Sequence, residues 1–278
     1  MLDLRIKEYL SQVGICKISE FDTALLETFG QDEGEKHIER MTELFDRSEE
    51  RLMYGTGDTP YLYRQEEIVD YINQNLELSL LASSFYDRVF FRRVMDYLLR
   101  YESFWMGDIL DMGCGNGVLS CFLARLHPGS SVTGVDLSHN AVSAADELAG
   151  RLHIENVRFT DPKASEGKMY DTVLSSRTVH ENVAVRPLCE KPETVALSME
   201  EQAERHKEYA KTLSAFVKPQ GYLISVERYE DYGAYTGAVC ALTSLDFCQV
   251  SGTNMQFSCK NGDETAVFQA SVFQKISG

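Results

Sequence analysis

Apolar residues in the second part of the chain fall into short runs separated by segments of helical periodicity. The apolar runs have the length and composition of strands buried on both faces of a parallel sheet. They lie at 108–112, 131–136, about 155–160, 170–176 and 221–226. Two further runs, at about 254–260 and 265–274, flank Asn261-Gly262-Asp263, and Asn-Gly is a strong hairpin signal. The alternation predicts an α/β fold built on a mostly parallel sheet.

The first part of the chain lacks such runs and shows helical periodicity instead. Residues 20–50 carry many acidic side chains beside apolar residues near helical spacing, which is typical of helices with a solvated acidic face. A turn signal follows at Gly55-Thr56-Gly57-Asp58-Thr59-Pro60, and helical spacing resumes over 64–101. We therefore expect two domains, an all-helical N-terminal cap or lid over 1–104 and an α/β domain over 105–278.

The chemistry centres on a glycine-rich turn between a strand and a helix. Gly113, Gly115 and Gly117 follow the strand at 108–112, and a helical pattern begins at Val118. Glycine permits positive φ and allows a ligand to lie against the backbone. Asp136 ends the next strand, 19 positions after Gly117, near the offset of about 20 at which nucleotide-binding units place an acid on ribose hydroxyls. The alternative is a tight turn with a surface aspartate.

This pattern, Asp111-x-Gly113-x-Gly115-x-Gly117, resembles motif I of class I (Rossmann-like) S-adenosylmethionine-dependent methyltransferases. A dinucleotide fingerprint would need glycine where the chain has Val118. The resemblance covers about 105–274. It implies a seven-stranded, mostly parallel sheet with an antiparallel last strand, S-adenosyl-L-methionine as cofactor and S-adenosyl-L-homocysteine as product.

The resemblance also implies which residues bind the cofactor. The glycine loop, with Cys114 and Asn116, would lie against the methionine part, and Asp111 would position that loop or the amino group. Asp136 and Leu137 would meet the ribose. Asp161 would bind the adenine amino group or, equally, form an Asp-Pro turn. Ser176 belongs to the loop that faces the methyl group. The resemblance does not cover Tyr86 of the cap, which could reach the methionine end or, alternatively, pack in the core.

Three residues after the strand at 170–176 are candidates for catalysis. His180 could act as a general base, since its unperturbed pKa lies near neutrality, or it could be structural. Arg177 could hold an anionic acceptor, and Glu181 a cationic one. Glu227, Arg228 and Tyr229, after the strand at 221–226, are weaker candidates of the same kind.

The absence of several motifs limits the classes of molecule that could accept the methyl group. The loop after the fourth strand lacks the Asn/Asp-Pro-Pro-aromatic motif with which similar enzymes bind amino groups of bases or glutamine, and it lacks a Pro-Cys pair. Glu181 and Glu190 have the spacing of the acidic pair in protein arginine methyltransferases, but other motifs of that family are absent. A small-molecule acceptor is therefore expected. A non-catalytic or partner-dependent cofactor-binding protein, or another transfer reaction on the same fold, remains the alternative.

Composition restricts the partners and the compartment. The formal net charge is −16, and no basic run compensates locally, which disfavours nucleic acid. The seven cysteines include no CxxC pair, and neither they nor the six scattered histidines suggest a metal site. We find no signal-peptide core and no apolar stretch long enough to span a membrane. A cytoplasmic protein is expected, and a homodimer through the N-terminal helices is left open.

Overall fold

The computed structural model describes residues 3–54, 66–183, 197–229, 231–261 and 264–277, except the side chains of 49–54, 180, 261 and 264. Its N-terminal part is helical throughout the described ranges, as the sequence predicts. The described residues of this part form six α-helices, one π-helical turn at Ser83–Asp87 and one 3₁₀ turn at Glu102–Phe104. The helices are α1 (Leu4–Val13), α2 (Phe21–Phe29), α3 (Gln31–Tyr54), α4 (Glu66–Ile72), α5 (Leu76–Ala82) and α6 (Arg88–Arg100).

Local capping explains where several of these helices begin and end. The Asp3 carboxylate accepts a hydrogen bond from the Arg5 N–H at 2.8 Å at the start of α1, and Gly14 ends that helix with φ +94°. Gly30 separates α2 from α3, so the acidic stretch over 20–50 contains two helices. The turn expected at 55–60 lies outside the described residues.

The remaining described chain alternates strands with helices. The strands are β1 (Asp108–Met112), β2 (Ser131–Val135), β3 (Val157–Thr160), β4 (Tyr170–Ser176), β5 (Val217–Glu227), β6 (Phe247–Gln249), β7 (Met255–Asn261) and β8 (Glu264–Lys275). The helices are α7 (Val118–Leu126), α8 (His139–Arg151), α9 (Val179–Asn182), α10 (Met199–Phe216) and α11 (Tyr232–Thr243).

All of these strands join one sheet in the order β3-β2-β1-β4-β5-β8-β6, and β7 also pairs with β8. Strands β1 to β5 are parallel, whereas β8 runs antiparallel to β5, β6 and β7. The strand order reverses between β1 and β4, so the carboxyl ends of these two strands border the crevice where ligands bind in such sheets. The predicted fold class is confirmed.

Two details of the sheet differ from the sequence prediction. The sheet has eight strands rather than seven, because helix α11 ends at Thr243 and the short strand β6 follows it. Strand β5 begins at Val217 rather than 221, with an irregularity in its pairing to β4. Three-residue strands give too few positions for an alternating pattern, which explains why β6 was not predicted.

Each face of the sheet is covered, and the N-terminal helices contribute to one of these layers. Ile109, Leu174 and Val226 point into a core shared with α1, α6, α7 and α8, while Leu110 and Val173 face α10 and α11. Buried hydrogen bonds tie the N-terminal helices to this body, since the Tyr9 hydroxyl donates to the Val118 carbonyl at 2.7 Å. None of the helices in the described ranges combines the length and apolarity needed to cross a bilayer.

Candidate active site

The glycine loop between β1 and α7 folds back over the end of β2. The N–H groups of Gly113 and Cys114 both donate to the Val135 carbonyl, at 2.9 and 3.0 Å. Gly113 and Gly115 adopt φ values of +71° and +52°, a region that non-glycine residues rarely enter. A Cβ on Gly113 would lie 2.4 Å from the Thr178 methyl group, whereas a Cβ on Gly115 would meet nothing within 4 Å. The loop is thus packed at Gly113 and open at Gly115.

Asp136 lies directly beside this loop. One oxygen of its carboxylate accepts from the Gly115 N–H and the other from the Ser138 N–H, both at 2.9 Å. Burial raises the pKa of Asp136, although the backbone hydrogen bonds oppose that shift. The structure therefore brings together the two features that the sequence singled out, the glycine turn and the acid after β2. The next residue, Leu137, is 71% exposed.

Asp111 lies behind the loop and is almost completely buried. Its carboxylate accepts a hydrogen bond from the Ser120 hydroxyl of α7 at 2.5 Å. Burial raises the pKa of Asp111 to about 7, and the nearby charge of Asp136 adds to the effect. In this position Asp111 fixes the first turn of α7 to the end of β1.

Asn116 and Cys114 complete the loop, and both are buried. The Asn116 amide donates to the hydroxyls of Ser79 and Ser83, at 2.8 and 2.9 Å. The Cys114 sulfur lies 3.7 Å from the Gly115 carbonyl, and burial raises the pKa of this thiol. Asn116 therefore links the glycine loop to α5 and to the π-helical turn.

The loop after β4 contains a buried hydroxyl and an ion-paired arginine. The Ser176 hydroxyl is buried and has no hydrogen-bond partner among the described residues. Arg177 has a φ of +61°, and its guanidinium donates to the Asp87 carboxylate at 2.5 Å while lying 5.2 Å from the centre of the Phe90 ring. The pKa of Arg177 is raised, mainly by the charge of Asp87.

The carboxylate of Glu227, at the end of β5, organises the start of α9. It accepts from the backbone N–H groups of Thr178 and Val179, at 2.8 and 3.1 Å, and from the hydroxyls of Ser175 and Thr178, at 2.6 and 2.9 Å. The Tyr209 hydroxyl of α10 contacts the same two hydroxyls. Glu227 has no exposed surface, and burial raises its pKa against the effect of these hydrogen bonds.

Glu181, on α9, lies in acidic surroundings. Burial, together with the charges of Asp136, Glu227 and Glu66, raises the pKa of Glu181 to about 7, although the charge of Arg177 opposes the shift. A carboxyl group with this pKa can exchange a proton near neutral pH.

The other predicted site residues make contacts of their own or lie outside the described residues. Tyr86 packs its ring against Phe21, Phe45 and Phe85 in a cluster between the N-terminal helices, and burial raises its pKa to about 12. Asp161 accepts from the Ala164 N–H at 3.2 Å, as in the Asp-Pro turn that was the alternative to adenine binding. The side chain of His180 lies outside the described residues. Their roles at the cofactor remain predictions.

Little or nothing in the sequence indicates the part that two residues play in the site. Glu227 was only a weak candidate, because four hydrogen bonds to residues about 50 positions away leave no local pattern. The second residue is Asp70 of α4, which accepts from the Ser138 hydroxyl at 2.9 Å and, through its backbone carbonyl, from the Asn140 amide at 3.0 Å. A helix of the N-terminal part thus lies over the loop that holds Asp136.

These residues fit a cofactor that carries hydroxyls and positive charge. The backbone is open at Gly115, the Ser176 hydroxyl is unpaired among the described residues, and Asp136 and Glu181 are carboxylates in the same region. Within the described ranges, no cluster of three or more histidine, cysteine or acidic side chains suits a metal ion.

Comparison with known proteins identifies the family. A family model described as a methyltransferase domain matches residues 107–255, more than half of the chain. The release factor glutamine methyltransferase of Fusobacterium nucleatum is 29% identical over 125 residues, covering 42% of this chain and 35% of that protein. The ribosomal RNA small subunit methyltransferase C of Psychromonas ingrahamii is 35% identical over 80 residues, covering 27% of this chain and 22% of that protein.

The matches are confined to part of each relative, since the chain spans about a third or less of the length of these two curated proteins. Among solved structures, the ribosomal protein L11 methylase of Lactobacillus delbrueckii is 16% identical with a TM-score of 0.45, covering 66% of this chain and 78% of that one. The domain match includes the glycine loop, Asp136 and the loop after β4. The chain belongs to the class I, Rossmann-like family of S-adenosylmethionine-dependent methyltransferases.

Proposed function

We propose that this protein transfers a methyl group from S-adenosylmethionine to a small-molecule acceptor that binds beneath the N-terminal helices. One observation carries the proposal. The open glycine loop, the Asp136 carboxylate, the unpaired Ser176 hydroxyl and Glu181 lie around the crevice where the sheet order reverses. A cofactor with ribose hydroxyls and a sulfonium charge matches these groups in hydrogen bonding and in charge.

The proposed cofactor contacts follow from the geometry of the loops. Asp136 already accepts from the Gly115 N–H, so its remaining lone pairs can accept from ribose hydroxyls. The backbone of Gly115 provides a surface without a Cβ against which the methionine part can lie. Leu137, which is mostly exposed, offers an apolar surface next to Asp136 for the nucleoside.

The charges of the site favour a neutral or cationic acceptor over an anionic one. Arg177, which the sequence offered as an anion-binding residue, is engaged by Asp87 at 2.5 Å. Glu181 instead lies among carboxylates, which repel an anion and attract an amine. We therefore assign acceptor binding to Glu181 and a supporting role to the Arg177–Asp87 pair.

Glu181 is also our candidate for the general base. Methyl transfer from a sulfonium is an in-line displacement, in which positioning contributes at most about 7–11 kcal/mol. Removal of a proton from a hydroxyl or amine acceptor typically adds about 10²–10⁴-fold. A pKa of about 7 leaves a large share of Glu181 ionised at neutral pH and able to take up that proton.

We assign residues 1–104 to a cap that encloses the acceptor. Three links support this role: Asn116 to Ser83, Ser138 to Asp70, and Arg177 to Asp87. Each joins a loop at the carboxyl edge of the sheet to the N-terminal helices. A covered crevice of this kind suits a small molecule better than a folded protein or an RNA helix, and the net charge of −16 opposes nucleic acid.

The relatives are named for a release factor and for ribosomal RNA, so the acceptor class needs a direct test. We would incubate the protein with methyl-tritiated S-adenosylmethionine and a cell extract, and then separate small molecules from macromolecules by ultrafiltration. The proposal predicts label in the low-mass filtrate, and none there with the Asp136→Ala variant. Label retained with protein or RNA contradicts the small-molecule acceptor. Cofactor binding without any transfer contradicts catalysis and supports the non-catalytic alternative.

A further inference from the structure

A cavity lies between α1 and α6 of the N-terminal part. Its volume is about 370 Å³, within the range of roughly 300–1,000 Å³ typical of pockets that bind small molecules. Lys7 and Ser11 of α1 and Arg88 and Arg92 of α6 line its walls. Each of these pairs is four residues apart, so both members lie on the same face of their helix.

The charge of this cavity is opposite to that of the chain. In the ranges the structure describes, Lys7, Arg88 and Arg92 form no ion pair. Other arginines of the N-terminal part do form ion pairs, Arg5 with Asp3 and Arg100 with Asp96. A protein with a formal charge of −16 has many carboxylates available to neutralise such a cluster. Three cations nevertheless face one cavity without a carboxylate partner.

The arrangement brings like charges together without internal compensation. Arg88 and Arg92 lie one turn apart on α6, where like charges repel each other. The side chains of Leu10 and Ile15 also line the cavity, but each is only 5% exposed and leaves little apolar surface for a ligand. A ligand with negative charges would relieve the repulsion between the cations.

The cavity is separate from the cofactor crevice. On the cavity side, the N–H of Cys16 donates to the Ser84 hydroxyl at 3.3 Å. On the crevice side, the Ser83 hydroxyl accepts from Asn116 of the glycine loop at 2.9 Å. The π-helical turn at Ser83–Asp87 therefore lies between the two, and turns of this kind occur frequently at functional sites.

We propose that the cavity between α1 and α6 is a binding site for a small molecule carrying at least two negative charges, from phosphate or carboxylate groups. Lys7, Arg88 and Arg92 contact the charged groups of this molecule. Guanidinium groups bind either anion through paired N–H donors, so both chemistries fit the walls.

The test is titration calorimetry of the full chain with inorganic pyrophosphate and with citrate, which represent the two anion chemistries. We expect at least one probe to bind with a Kd below about 1 mM at about 150 mM salt. The variant with both Arg88→Gln and Arg92→Gln should weaken binding at least about tenfold, and Lys7→Gln on the other wall should weaken it as well. Arg100→Gln, on the same helix but paired with Asp96, is the matched control and should leave binding unchanged.

Two further measurements make the result of the titration unambiguous. Thermal unfolding of each variant verifies that it is folded, and Lys7→Gln provides a test on a separate helix if the double variant is not. S-adenosylhomocysteine is titrated into the same samples, because the proposal predicts that it does not displace the probe. Absence of probe binding, binding that survives the substitutions, or displacement by S-adenosylhomocysteine would each overturn the proposal. None of these results depends on methyl transfer.

Discussion

The buried carboxylate of Glu227 accepts a hydrogen bond from the backbone N–H of Thr178 at 2.8 Å. Thr178 in turn packs its methyl group where a Cβ on Gly113 would lie, 2.4 Å away. Through this pair, the end of β5 positions the loop after β4, and that loop closes against the glycine turn. The arrangement of the candidate site thus depends on a residue that need not touch either substrate.

Removing the Glu227 carboxylate is expected to destabilise the protein and to disturb the site. Glu227→Ala leaves two backbone N–H groups and two hydroxyls without their acceptor. Each buried unsatisfied group costs about 1–3 kcal/mol, so the free energy of unfolding should fall by about 3 kcal/mol or more. Urea unfolding measures this change. Glu208→Ala, at an exposed position of α10, should change the free energy of unfolding by no more than about 0.5 kcal/mol. An equally small effect of Glu227→Ala would show that Glu227 does not organise the loop.

Gly113→Ala and Gly115→Ala form a matched pair that separates packing from ligand contact. Both residues have positive φ, but only an alanine at 113 would collide with a neighbour. We expect Gly113→Ala to lower the unfolding temperature clearly. Gly115→Ala should lose only about 1–2 kcal/mol of stability from backbone strain. It should still weaken S-adenosylmethionine binding about tenfold or more, because the added methyl group enters the space assigned to the methionine part. Unimpaired binding in Gly115→Ala would rule out that contact.

The sequence predicted the parts of the molecule that depend on local pattern. Strand β2, strand β4 and the glycine turn each follow from spacing or from a short motif, and the structure places them within about two residues of the expected positions. Asp136 was found because the offset between a βα turn and the next strand is nearly fixed. These features depend on residues close together in the chain.

The remaining features arise from contacts between distant segments. Arg177 looked available for an acceptor, yet its partner is Asp87, ninety positions earlier in the chain. Glu227 was a weaker candidate for catalysis, yet it is fully buried and accepts hydrogen bonds at the start of α9. No periodicity reports such pairs, because each depends on contacts between segments that lie far apart in the chain.

Activity is expected to rise with pH through a pKa near 7 that belongs to Glu181. A general base must be ionised, and Glu181 is mostly protonated below pH 7 because its pKa is raised to about 7. The plot of kcat/KM against pH should therefore show an ascending limb near 7. Glu181→Gln should remove this limb and lower kcat about 10²-fold or more. An unchanged profile in the variant would exclude Glu181 as the base.

Binding of the two adenosyl ligands should differ in its pH dependence. The pKa values of Asp111 and Glu181 are raised to about 7 in the ligand-free protein, so both bind protons below neutrality. The sulfonium of S-adenosylmethionine favours ionised carboxylates, whereas S-adenosylhomocysteine lacks that charge. The affinity for S-adenosylmethionine should therefore increase between pH 6 and pH 8, relative to the affinity for S-adenosylhomocysteine. Calorimetry in two buffers of different ionisation enthalpy would detect the protons released. If the affinities for both ligands changed equally with pH, this electrostatic explanation would be contradicted.

The glycine turn and Asp136 are expected to bind S-adenosylmethionine together. Titration calorimetry with S-adenosylmethionine, S-adenosylhomocysteine and NADH is the most direct test of this binding site. The proteins to titrate are the unaltered chain, the Asp136→Ala variant and, for comparison, the Asp161→Ala variant. We predict binding of both adenosyl ligands at about micromolar Kd and no binding of NADH. The Asp136 variant should bind at least about a hundredfold more weakly, since it loses the acceptor of two ribose hydroxyls. Binding of NADH in place of the adenosyl ligands, or equal affinity in the Asp136 variant, would contradict the account.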